Sequence, residues 1–199
     1  MQDKDVRNTA IYLYDEAEIL DFTGPYEVFT ASNRESGSKL FKVYTVTQTG
    51  STVTASGGLR IVPEYSIFEC PKPDIILIPG GAGRRFEMNN TVVLEWIKEQ
   101  FPSIELLLSV CTGAFITANT GLLNGLKATT HHRSYDEFEK TFPDIELVRN
   151  VKYIDNGRTI LSGGISSGIN MTLYAISRLY GKDLANRVSG RMEFDYIIN

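Results

Sequence analysis

Two stretches of the chain are apolar almost without interruption, and both stop abruptly at small residues. Asp74–Pro79 (D-I-I-L-I-P) reads as a strand buried on both faces and closes into P-G-G-A-G. Ile104–Ala118 (I-E-L-L-L-S-V-C-T-G-A-F-I-T-A) reads as a second such strand that ends at Cys111 and turns straight into a small-residue helix. Around these two, shorter patterns fall into place. Ala10–Tyr14 predicts a first strand, and Gly24-Pro25 marks a helix start that Tyr26, Val28 and Phe29 carry to about Asn33. Phe41–Thr47 alternates as a strand, and Ser51–Pro63 predicts a hairpin about Gly57-Gly58. Val93, Leu94, Ile97 and Phe101 have helical spacing within Asn90–Phe101, which Pro102 ends.

Past Thr120-Gly121 the elements are shorter. Ala128–Thr130 predicts a strand leading into His131-His132, and Ser134 is placed to cap a helix over Tyr135–Lys140. Glu146–Val148 and Tyr153–Leu161 read as strands, the second broken by an Asn156-Gly157 hairpin turn. A helix over Gly168–Tyr180 shows Ile169, Leu173 and Ile176 on one face and stops at Gly181, and another starts near Asp183. Strands alternating with helices predict a doubly wound, mostly parallel sheet of the flavodoxin-like kind with helices on both faces. With no repeat and no long linker, residues 1–199 are expected to form one domain with a core of about 10–196.

Composition narrows the function classes. A chain of 199 residues with 42% hydrophobic and 22% charged residues is ordinary for a globular domain. The net charge of −4 offers no basic face, so a nucleic-acid partner is not expected. No apolar run approaches the ~20 residues of a membrane span. The N-terminus lacks a signal peptide's apolar centre, and two cysteines do not make a disulfide scaffold; the cytoplasm is the expected compartment. The N-x-[ST] matches at Asn89 and Asn170 are then chance.

Within a doubly wound sheet, sites lie beyond the carboxyl ends of the strands. Three strand-end loops there are unusual in composition. Cys111-Thr112-Gly113 has the form of a nucleophile elbow, with Cys in place of Ser. A helix N-terminus activates a thiol whose free pKa is about 8.5. The N–H groups of Cys111 and Thr112 are candidate oxyanion donors, the Thr112 hydroxyl a further hydrogen-bond partner, and Gly80 and Gly81 let backbone approach the same pocket. Asp21, in the loop after the first strand, could carry protons or merely cap a helix. Arg84-Arg85 reads as a solvated pair and Cys70 as structural or incidental. His131 and His132 lack partners at metal-ligand spacing, so no metal is expected, and either could line the pocket.

Taken together, I-L-D-F-T-G-P-Y-E-V-F, D-I-I-L-I-P-G-G-A-G, L-L-S-V-C-T-G-A-F-I-T-A, T-G-L-L-N-G-L-K-A-T-T-H-H and S-G-G-I-S-S-G-I-N-M-T-L resemble the ThiJ/PfpI family of the class I glutamine amidotransferase-like superfamily. The L-D-x-x-G-P block and the C-T-G elbow are most similar to its isonitrile hydratase branch, which shares a core with the sensing half of certain AraC-type regulators. That resemblance implies hydration of an isonitrile to an N-substituted formamide without cofactor, with Cys111 as nucleophile, Asp21 as its acidic partner and Thr112 as the adjacent hydroxyl. It also implies a small-molecule substrate and a homodimer. Thr112 stands where the proteases of the family carry His, which points away from proteolysis, and Asp21 stands where the deglycase-like members carry Glu. His132 replaces a Trp common in the hydratase branch, and no helix-turn-helix segment follows residue 199, as a complete regulator would have. Two further readings stand beside this one: the same site acting on an amide, nitrile or reactive aldehyde, or a non-catalytic domain that senses a ligand or oxidation.

Overall fold

The computed structural model describes residues 6–196. In chain order the elements are β1 (Arg7–Tyr12), α1 (Ile19–Ser36), β2 (Phe41–Thr47), β3 (Val53–Thr54), β4 (Arg60–Ile61), β5 (Tyr65–Ser66), β6 (Ile75–Ile78), α2 (Arg84–Glu87), α3 (Thr91–Gln100) and β7 (Leu106–Val110). They continue with α4 (Gly113–Asn119), β8 (Lys127–Ala128), α5 (Tyr135–Thr141), β9 (Glu146–Leu147), β10 (Tyr153–Asp155), β11 (Thr159–Ser162), α6 (Ser167–Tyr180) and α7 (Lys182–Arg191).

The main sheet has seven strands in the order β10-β11-β7-β6-β1-β2-β5. Every pairing in it is parallel except β10 with β11, the Asn-Gly hairpin at one edge. Counting only β1, β2, β6, β7 and β11, the order is the flavodoxin-like 2-1-3-4-5, whose switch point lies between β1 and β6. The unbroken apolar runs are the central strands: every residue of β6 and β7 is buried, as helix cover on both faces demands. The hairpin about Gly57-Gly58 is present as the β3–β4 pair.

Helix α1 departs from the expected boundary. It begins at Ile19, before Gly24-Pro25, and holds Pro25 inside. The Gly-Pro pair is a packing device here and not a start signal. A Cβ on Gly24 would lie 2.8 Å from Ile169 Cγ1, so the missing side chain lets α1 pack closely on α6. Proline removes one helical N–H. As a result Asp21, expected in a loop, sits on the first turn of α1 and points into the protein. Ser134 precedes α5 but makes no side-chain cap; the local cap is His131, whose Nδ1 accepts from the Arg133 N–H at 3.2 Å.

Candidate active site

Cys111 stands at the bend between β7 and α4 with φ 58°, in the left-handed region that a non-glycine residue adopts only when its surroundings compel it. Those surroundings can be named. The Cys111 N–H donates to the carbonyls of Ser162 (3.2 Å) and Gly163 (3.1 Å), and its own carbonyl accepts from Thr130 Oγ1 at 2.8 Å. The expected role of the Cys111 N–H as an oxyanion donor therefore fails, because β11 already uses it.

The other two strand-end loops are tied together as tightly. Gly80 N–H donates to Asp21 Oδ2 at 2.9 Å, and Gly81 N–H to Thr112 Oγ1 at 3.0 Å. Both glycine amides were candidates for oxyanion contacts, and both are spent on side chains of the site. The Thr112 hydroxyl is likewise held by Gly81. A Cβ on Gly80 would lie 2.6 Å from Thr112 N and 2.9 Å from Asp21 Oδ2, so only glycine admits this junction.

Asp21 is completely buried, and its carboxyl interacts with the Cys111 thiol, the Gly80 N–H and the Ile165 N–H. Oδ1 has no hydrogen-bond partner of regular geometry. Burial raises the carboxyl from its ordinary 3.8 to about 7, against the opposing pull of the Gly80 N–H. Cys111 is 6% exposed. Burial first, and the charge of Asp21 second, push its thiol up to about 12, although the N–H groups of Thr112 and Ile165 act on the sulfur in the other direction. The helix N-terminus does not yield a resting thiolate: desolvation outweighs it. At neutral pH the pair holds one proton on sulfur beside a carboxyl near its midpoint.

Three residues of the site were not foreseen. Ile165, at φ 49°, has its backbone N–H close enough to Asp21 and the sulfur to favour the charged form of each. Its signal was the lone apolar residue within S-G-G-I-S-S-G, a fourth strand-end loop. Arg84 is buried rather than solvated: it pairs with Glu137 and its guanidinium stacks 3.8 Å from the Phe115 ring centroid. Glu18, the residue before α1, lines the opening. Cys111 and Thr112 form the floor of a cavity of about 470 Å³, with Ile165, His131 and the arginines as walls. His131 belongs to this cavity and to a neighbouring one of about 570 Å³ lined also by His132 and Tyr135; the two imidazole centroids lie 4.4 Å apart with the rings tilted by 32°. Burial and the adjacent His132 and Arg133 lower the pKa of His131. Cys70 lies elsewhere, half-buried. Among the described residues no group of three metal-ligating side chains occurs, and no helix is long and apolar enough to cross a membrane.

Fold and site define a flavodoxin-like α/β protein with a buried Cys–Asp pair at a sharp strand-to-helix bend. The chain belongs to the DJ-1/PfpI family, whose profile matches residues 7–177. It is 32% identical over 182 residues to isonitrile hydratase of Pseudomonas putida, covering 92% of this chain and 76% of that one. It is 26% identical over 198 residues to the HTH-type transcriptional regulator GbdR of Pseudomonas aeruginosa, covering 100% of this chain and 53% of the regulator. The chain thus spans about half the length of such regulators. Among solved structures, a THiJ/PfpI family protein from Pseudomonas syringae superposes with TM-score 0.84 at 24% identity, over 96% of this chain and 76% of that one. Drosophila melanogaster DJ-1beta superposes with TM-score 0.84 at 19% identity, over 96% and 100%. The regulators correct one expectation. Net charge argues against a nucleic-acid partner, yet relatives that match 100% and 86% of this chain are HTH-type transcriptional regulators. Net charge is a property of the surface as a whole and does not rule out a nucleic-acid partner for a chain with such relatives, so that expectation is withdrawn.

Proposed function

We propose that the chain is a cysteine-dependent hydratase of the isonitrile hydratase type, converting an isonitrile to an N-substituted formamide through a thioimidate on Cys111. The observation that carries this is the buried pair itself: a protonated thiol in contact with a carboxyl whose pKa is raised to about 7. As the sulfur bonds to the terminal isonitrile carbon, its proton passes to the Asp21 carboxylate and from there to that carbon. No proton is gained or lost, and the product is R–N=CH–S–Cys111. Water then adds across C=N, oxygen to carbon and hydrogen to nitrogen, with Asp21 relaying the proton. Collapse forms the carbonyl, breaks the C–S bond and returns the remaining hydroxyl proton to sulfur, releasing R–NH–CHO. Covalent catalysis of this kind divides one hard step into two.

Geometry favours such a substrate over an acyl compound. Cys111 is only 6% exposed at the cavity floor, which suits an end-on, narrow electrophile. The amides of Cys111, Gly80 and Gly81 are already hydrogen-bonded, which leaves little for the oxyanion of a tetrahedral acyl intermediate. A nitrile is the nearest alternative substrate at the same site. Similarity over the whole chain to a transcriptional regulator supports a second reading, a ligand-sensing domain. Mass spectrometry after mixing with cyclohexyl isonitrile separates the two. The enzyme reading expects an adduct on Cys111 that decays with release of the formamide, and neither in Cys111→Ala. An unmodified Cys111 with no formamide, alongside saturable binding of the isonitrile, would leave the sensor.

A further inference from the structure

We infer that the Cys111 cavity takes a substrate that carries a carboxylate, held at the mouth by Arg85 and Arg133. The inference rests on the reading of Cys111 as the nucleophile and adds the charge of the molecule it attacks.

Three guanidinium groups, of Arg84, Arg85 and Arg133, line the cavity against a single carboxylate, Glu18. Arg84 is neutralised by Glu137 and fixed on Phe115. Arg85 and Arg133 are exposed and form no ion pair among the described residues. They come from separate elements, α2 and the turn before α5, and converge on one opening. Arg60, Arg158 and Arg187 are also exposed without a carboxylate partner, but Arg85 and Arg133 are the two such arginines that line the cavity of Cys111.

At the opening Arg85 and Arg133 meet one carboxylate, Glu18, while Asp21 lies beneath at Cys111, and His131, with its pKa lowered, adds no positive charge at neutral pH. A singly charged anion suits this pair of guanidinium groups better than a phosphate dianion, which would meet both carboxylates. The guanidinium fork matches a carboxylate in two-point contact. A small ω-carboxylate electrophile would then place its reactive carbon at the cavity floor and its anion at the mouth.

Two arms test this. In the first, Cys111 is alkylated with iodoacetate and with iodoacetamide, and Cys70 in the same molecule serves as reference. The ratio of the two rates cancels the fraction of thiolate. The iodoacetate-to-iodoacetamide ratio should be higher at Cys111 than at Cys70, and should fall about three- to tenfold in Arg85→Ala and in Arg133→Ala, and also with added salt. A ratio no higher than at Cys70, or unmoved in both variants, overturns the inference. The second arm compares isocyanoacetate with its methyl ester as substrates. A preference for the acid that Arg85→Ala and Arg133→Ala abolish supports it; equal kcat/KM for acid and ester overturns it. Turnover of neither compound, with the alkylation preference intact, would reject the hydratase reaction and leave anion recognition standing.

Discussion

At the scale of single residues, the site turns on where one proton sits. In the proposed reaction Asp21 must be ionised to accept the proton of the Cys111 thiol, and burial raises its carboxyl to about 7. The kcat/KM for an isonitrile should therefore rise with pH through about 7 and level off above it, since the thiol itself stays protonated until far higher pH. Asp21→Asn keeps the acceptor for Gly80 N–H but cannot take a proton. It should lower kcat by about a hundredfold or more and remove the limb near pH 7. A profile with the same limb in the variant would assign that titration to another group. The buried Oδ1 without a regular partner is consistent with a carboxyl whose second oxygen is reserved for this transfer.

At the scale of elements, four strand-end loops build the site, and their junction leaves no room. Gly80→Ala would drive a Cβ to 2.6 Å from Thr112 N and 2.7 Å from its Oγ1, contacts that backbone cannot yield cheaply. The substitution should cost roughly 2–4 kcal/mol of stability, read from the urea midpoint at constant m. Gly190→Ala, on an open face of α7 with nothing within 4 Å, should instead be neutral or stabilising by up to about 1 kcal/mol. Equal losses from both would remove the steric account of the junction. Much of this architecture was legible in the sequence. The runs before Pro79 and Cys111 name the central strands because burial on both faces forbids alternation. The edge hairpin shows in Asn156-Gly157. What stayed hidden depends on partners distant in the chain. Gly24-Pro25 resembles a helix start, and only the proximity of Ile169 explains it. Arg84 resembles its solvated neighbour until Phe115 and Glu137 close on it. Ile165 acts through a backbone N–H, so the lone apolar residue in S-G-G-I-S-S-G marks the loop but not what it contributes.

At the scale of the whole molecule, the fold holds a carboxyl where ionisation is costly, and stability should record it. Asp21 lies at the switch point between β1 and β6, completely buried, so global unfolding is what restores it to water. In the unfolded chain it titrates near 3.8, in the folded protein near 7. Below the first value both states carry the proton and no penalty exists. Between the two the unfolded chain loses its proton first, so stability falls as pH rises, and above about 7 the folded state bears the full cost. A displacement of this size amounts to about 4 kcal/mol at most. Asp21→Asn keeps a neutral amide in the same place and escapes the cost. Its stability relative to the native protein should be near zero or slightly negative at pH 4 and should grow to roughly 2–4 kcal/mol in its favour by pH 8. Urea unfolding of both proteins across that range measures the difference and cancels every other titrating group. A constant difference would mean that the carboxyl is not desolvated. A native protein more stable than the variant at pH 8 would mean that its hydrogen bonds exceed the desolvation. The predicted slope, together with lost activity in the same variant, identifies Asp21 as a residue retained for chemistry at the expense of the fold.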